Sequence, residues 1–172
     1  NDNGKGVRGD MSAVVRAILL DSEARSATLA EGPTFGKVRE PLVRYAHWAR
    51  AFGATSTSGE WQIGSTSANT SLGQSALTAP SVFNFYRPGY SPPNTRVGQA
   101  GLVAPEFQIV DEVSVAGYLN TLQTTIDVGA GATVNGARDV RSTYAAEVAL
   151  ASDPGALVDR VNLLLMNGRM SG

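Results

Sequence analysis

The stretch Asp10-Met11-Ser12-Ala13-Val14-Val15-Arg16-Ala17-Ile18-Leu19-Leu20 sets the expectation for the fold. Met11, Val14, Val15, Ile18 and Leu19 recur at the i, i+3, i+4, i+7, i+8 spacing of a helix with one buried face. Asp10 stands where an N-cap belongs, its carboxylate able to accept from the free amides of the first turn. If the helix continues, Asp21 and Arg25 form an i, i+4 pair. Before this helix lies a polar, Gly-rich lead-in from Asn1 to Gly9.

The same grammar recurs downstream. Residues 26–37 read as a connection. Pro41 then occupies a first helical position, where its missing N–H costs nothing. Leu42, Tyr45, Ala46, Ala49 and Phe52 form the next apolar stripe, which Gly53 ends. Glu40 sits at the positive end of that helix and four residues before Arg44. Helical spacing returns from Asp111 to Ile126 through Val115, Leu119, Leu122 and Ile126, and a short helix is expected from Tyr144 to Leu150. The last helix has Asp153 as cap, Pro154 at its first position, Leu157, Val158, Val161, Leu164 and Leu165 as its buried side, and Gly168 as its left-handed end.

Between these segments the chain is loop-rich. Residues 54–75 are rich in Ser, Thr and Gly, with Trp61 and Ile63 as apolar anchors, and read as an irregular surface excursion. From Val128 to Val140, β-branched residues around Asn135-Gly136 indicate a short hairpin. The expected fold is therefore mainly α: a single irregular helical region over residues 1–172, with long Pro/Gly/Ser-rich loops and at most a short β-hairpin.

Composition narrows the function. A chain of 172 residues can bury roughly 70% of its unfolded surface without staples. Hydrophobic residues make up 42% and charged ones only 17%, while thirteen Thr, fifteen Ser and nineteen Gly take the place of charge. The fourteen cations are scattered and the net charge is −1, so the basic stripe of a nucleic-acid surface is missing. With no cysteine, disulfides, thiolate metal sites and Cys nucleophiles are excluded. Runs such as Ala17-Ile18-Leu19-Leu20 are too short to span a bilayer.

Chemical motifs are sparse. Arg8-Gly9-Asp10 spells an adhesion tripeptide, but the capping role of Asp10 accounts for it. Gly4-Lys5-Gly6 lacks the P-loop spacing. Asn1 to Gly6 resembles a calcium loop, yet Lys5 falls where an oxygen ligand belongs and Ser12 where the closing Glu belongs. His47, the one histidine, has no nucleophile elbow to serve and cannot build a multi-histidine metal site alone. Neither Lys5 nor Lys37 has a Ser at dyad spacing. Glu40 and Glu106, each beside a proline, could form a carboxylate pair for glycoside hydrolysis if the fold brings them within about 5–10 Å. Their structural alternatives are a helix start for Glu40, and Arg87 or loop amides for Glu106.

The densest feature is Pro80-Ser81-Val82-Phe83-Asn84-Phe85-Tyr86-Arg87-Pro88-Gly89-Tyr90. Five of the eight prolines fall between Pro80 and Pro105, which forbids a regular helix or a central strand there. Phe83, Phe85, Tyr86, Arg87, Tyr90 and Glu106 are the candidate binding residues. They form either a stacking platform for a sugar or a partner's groove, or staples that hold the loop on the core.

Several blocks together resemble one family. They are Asn3 to Asp10, Arg16 to Arg25, Phe35-Gly36-Lys37-Val38-Arg39-Glu40-Pro41, Pro80 to Tyr90, Ala104-Pro105-Glu106-Phe107, and Asp153-Pro154 through Leu163 to Ser171. In order and across nearly the whole chain, they are similar to the bacterial domain-of-unknown-function 1800 family. Residues 54–75 and 128–140 match none of its blocks. The resemblance implies a longer protein of which this is the C-terminal part, exported to the periplasm or beyond. It implies as partners the missing N-terminal region and a co-encoded exported protein. No activity, cofactor or catalytic residue attaches to the family, so none carries over. The leading expectation is a structural or partner-binding region without catalysis of its own, the other a polysaccharide-active enzyme using Glu40 and Glu106.

Overall fold

The structure is a computed structural model that describes residues 2–32, 35–36 and 38–170. Asn1 and Lys37, weighed above as parts of a calcium loop and a Ser-Lys dyad, lie outside them. Two compact units emerge, Asn1–Lys37 and Val38–Gly172.

In the first unit Asp10 caps α1 (Met11–Leu20) as the sequence predicts, accepting from the amides of Ser12 and Ala13. Asn3 Nδ2 donates to its other oxygen at 2.8 Å. The helix ends at Leu20 because Asp21 turns extended and caps α2 (Ser22–Arg25), accepting Glu23 N–H at 2.8 Å. Asp21 and Arg25 therefore do not pair along a continuing helix. A further single turn, α3 (Ala27–Ala30), starts from Ser26. The expected burial of the α1 stripe does not occur: Met11, Ile18 and Leu19 are each more than 60% exposed. Periodicity shows which side of a helix is apolar; only a packing partner makes that side buried, and single-turn α2 and α3 are too short to cover it.

The second unit is built on α4 (Pro41–Ala51). Its Tyr45 and Trp48 rings, 5.7 Å apart, join Leu72, Ala130 and Val140 in the core, with Leu42, Ala49, Phe52, Ile63, Tyr118, Leu122 and Tyr144 packed around them. Trp48 Nε1 donates to the Tyr144 hydroxyl at 3.0 Å, satisfying a buried donor.

Strands correct the expected fold class. Helix occupies 43% of the residues and strand 10%, and β-residues Ala130 and Val140 belong to the core cluster, so the mainly α description fails. The hairpin around Asn135-Gly136 forms as read, with β2 (Ala130–Val134) and β3 (Ala137–Arg141) antiparallel. Both turn residues have positive φ, 52° and 82°, as a two-residue primed turn requires. A third strand, β1 (Thr55–Ser56), adds to the far side of β3 in the order β1-β3-β2. It comes from the segment read as an irregular excursion. A two-residue strand carries no period to detect; a buried side chain from β3 recruits it instead. Asp139, with no exposed surface, accepts the Ser58 amide at 2.7 Å, the Gln62 amide at 2.8 Å and the hydroxyls of Ser56 and Ser58 at 3.0 Å each.

Beyond the short α5 (Arg96–Gln99) and a 3₁₀ turn at Pro105–Ile109 lies the longest helix, α6 (Glu112–Val128). Asp111 and Ser114 form its capping box. Its buried residues are Ser114, Gly117 and Thr125, whereas Val115, Leu119 and Ile126 of the predicted stripe are exposed. Loop 66–74 crosses this face so closely that a Cβ on Gly117 would stand 2.2 Å from the Asn69 carbonyl oxygen. That loop delivers fully buried Leu72 and Gln74.

After α7 (Ala145–Val148), α8 (Pro154–Met166) starts at its Asp153 cap and ends in left-handed Asn167 and Gly168. No α8 residue is fully buried; Leu157, Val161 and Leu164 are half-covered, while Val158 and Leu165 are exposed. His47 Nε2 donates to the Leu164 carbonyl at 2.7 Å, capping the open end of α8 from α4. Among the described residues no helix is long and apolar enough to cross a membrane.

Candidate functional site

The aromatic loop is anchored from beneath by polar side chains. At its start a tight turn pairs Ser81 with Asn84, the Ser81 hydroxyl accepting Phe83 N–H at 3.1 Å. Asn84 adopts φ 69°, a left-handed conformation that Asn tolerates better than most residues. Its amide then reaches Glu40 Oε2 at 3.3 Å. The same oxygen accepts Gln74 Nε2 at 2.6 Å, and Gln74 Oε1 accepts the Leu42 amide at 3.2 Å. Gln74 therefore does at the start of α4 what the Glu40 side chain, which makes no cap bond, does not.

Tyr86 completes the cluster. Burial raises its hydroxyl pKa above the ordinary tyrosine value; a bond from Asn84 works against this, and the charges of Glu40 and Glu106, with a hydrogen bond to Glu40, add to the rise. The phenol thus stays protonated beside the two carboxylates. Glu106, opening the 3₁₀ turn after Pro105, is 6% exposed.

The six predicted binding residues are consequently sorted by depth. Glu106 is buried; Phe85, Tyr86 and Tyr90 are half-buried; Phe83 and Arg87 are exposed. The fold brings both Glu40 and Glu106 within electrostatic reach of Tyr86. It does not pair Arg87 with Glu106; the Arg87 amide donates to Gln108 Oε1 at 2.7 Å. Nor does it pair Glu40 with Arg44, whose guanidinium lies 4.6 Å over the Tyr118 ring. Sequence reasoning missed Gln74 and Asn84. A lone Gln among Ser, Thr and Gly carries no signal, though Asn84 was detectable as a residue suited to a tight turn.

Chemically this is an anchor. Glu40 accepts from the side-chain amides of Gln74 and Asn84, and Glu106 is buried, so both carboxylates help to seat the loop. Among the described residues no group of three or more His, Cys, Asp or Glu could hold a metal ion.

Residues 2–172 match the sequence model of a protein of unknown function, DUF1800. The chain belongs to the DUF1800 family. No curated protein and no solved structure matches it. The match includes both the anchor and the outer loop of this DUF1800 chain.

Proposed function

We propose that this chain is a non-catalytic, partner-binding region of an exported protein, and that the outer side of the aromatic loop is its docking element. One observation carries this reading: Val82 and Phe83 stand 94% and 62% exposed on a turn tied down by Asn84 and Glu40. Apolar side chains held in water by a fixed backbone lose little further freedom on binding, and this preorganisation favours association. Leu77, fully exposed at φ 61°, lies on the same loop region. Burying such side chains in a partner contributes about 1.5–3 kcal/mol each.

The partner chemistry that fits is an apolar groove, supplied by further residues of the same protein or by a co-encoded exported protein. The setting, periplasmic or extracellular, rests on what the family resemblance implies. A photo-crosslinking phenylalanine analogue at position 83, in the full-length protein in its native cells, tests the proposal. An adduct within the chain or with one defined second protein is expected. Absence of any adduct, while the same probe at Val113 on α6 does react, would sink it.

A further inference from the structure

All three strands of the small sheet hold one short loop, and the product of their grip is the position of a single ring. Trp61 has φ 54°, a strained conformation for a bulky residue. Its amide donates to Ser56 Oγ on β1 at 3.0 Å. The next residue, Gln62, donates to Asp139 on β3 at 2.8 Å, and its carbonyl accepts Ala132 N–H on β2 at 2.9 Å. Gly131 lies so close beneath that a Cβ there would stand 2.3 Å from the Gln62 carbonyl oxygen. A glycine or asparagine at position 61 would make this turn with less strain. The ring is also 46% exposed, so core burial does not explain the choice of tryptophan.

What the ring does is wall a cleft of about 550 Å³ that lies against α4 and β3, with Tyr45, Ala46, Ala49 and Val140 among its other apolar lining residues. This volume is in the range of about 300–1,000 Å³ typical of small-molecule sites. Arg50 is the charged residue of the lining. Among the described residues its guanidinium makes no hydrogen bond or ion pair. A sugar is a poor occupant, because its hydroxyls would lose water against alkyl and aryl walls without gaining partners. An apolar body with one negative charge matches both the walls and the unpaired cation.

We propose that this cleft binds a single-chain carboxylate amphiphile of the fatty-acid type, its acyl chain along Trp61 and the α4 alanines, its carboxylate on Arg50. The inference is independent of the docking role of the aromatic loop, which lies elsewhere in the unit.

The test is calorimetric titration of the whole chain with monomeric laurate, and with dodecanol as a neutral control. One laurate per chain is expected. Arg50→Gln should weaken laurate about tenfold, as loss of one charge-assisted contact does, and leave dodecanol unchanged. Trp61→Gly should abolish binding of both without lowering the unfolding temperature, because it relieves the strained turn; a merely structural tryptophan would give the opposite pattern. Undiminished laurate binding by Trp61→Gly overturns the proposal, as does binding of several laurates insensitive to either change, which would assign them to the exposed faces of α1 and α8. Attachment to phosphatidylglycerol vesicles without binding of monomeric laurate would replace it with a membrane contact. A dimer dissolved by Trp61→Gly would give the cleft to a second copy of the chain.

Discussion

Gln74 Nε2 holds Glu40 Oε2 at 2.6 Å while Gln74 Oε1 accepts the Leu42 amide at 3.2 Å. One fully buried side chain thus caps a helix and fixes the carboxylate to which the aromatic loop is tied. Replacing it by Leu, close in volume, leaves a helix amide and a carboxylate short of partners. Gln74→Leu should cost about 2–3 kcal/mol in urea unfolding and speed hydrogen exchange in the 82–86 turn. A neutral outcome would mean that water replaces both bonds.

Acid stability should trace to Asp139. Burial opposes its charge, but bonds from the Ser58 and Gln62 amides and the Ser56 and Ser58 hydroxyls outweigh this, so its pKa lies below the ordinary carboxylate value. With the folded pKa lowered, the unfolded chain binds the proton more readily. The stabilisation is therefore complete above about pH 4, the unfolded value, and is lost as pH falls through the folded pKa. Asp10 and Asp111, also lowered, act in the same direction. The variant comparison isolates the one group: Asp139→Asn should be less stable than the parent at pH 7, and the difference should shrink below pH 4. Parallel melting-temperature curves for the two proteins would rule this out.

Two glycines should be irreplaceable for steric reasons. Gly117 sits within α6, where Ala would ordinarily gain about 1 kcal/mol; here its Cβ would meet the Asn69 carbonyl oxygen at 2.2 Å, and backbone cannot easily give way. Gly131→Ala meets Gln62 at 2.3 Å. Each should cost about 3 kcal/mol. Gly136→Ala, in open space, should cost only about 1 kcal/mol through its φ of 82°. Equal midpoints for all three in denaturant would contradict this ranking.

His47→Ala removes the donor that satisfies the Leu164 carbonyl at 2.7 Å. A loss of about 1 kcal/mol is expected, with faster amide exchange confined to the last turn of α8. By contrast, Glu147→Gln, which removes the charge from the partly buried 2.6 Å pair with Arg160 but leaves an oxygen to accept, should cost no more than about 1 kcal/mol.

Val82→Ser and Phe83→Ser remove exposed apolar groups and should move the unfolding midpoint by no more than about 0.5 kcal/mol. If the loop docks a partner, the same changes should abolish crosslinking from a probe at Leu77. A large loss of stability would instead make Phe83 a staple of the core.

Local chemistry was legible from residues alone. Asp10 and Asp153 begin helices, Pro41 and Pro154 open them, and Asn135-Gly136 turns the hairpin, because caps and turns are decided by neighbours within a few positions. Tertiary structure alone decided which apolar faces are covered, since α1 and α6 carry clear stripes that remain largely in water while Gly117 and Gln74 are buried. It also made β1 and the Trp61 wall out of a Ser/Thr-rich stretch, because Asp139, about eighty residues further along the chain, supplies the acceptors that hold it. Contacts at that range depend on how distant segments meet in space, and no local periodicity records them.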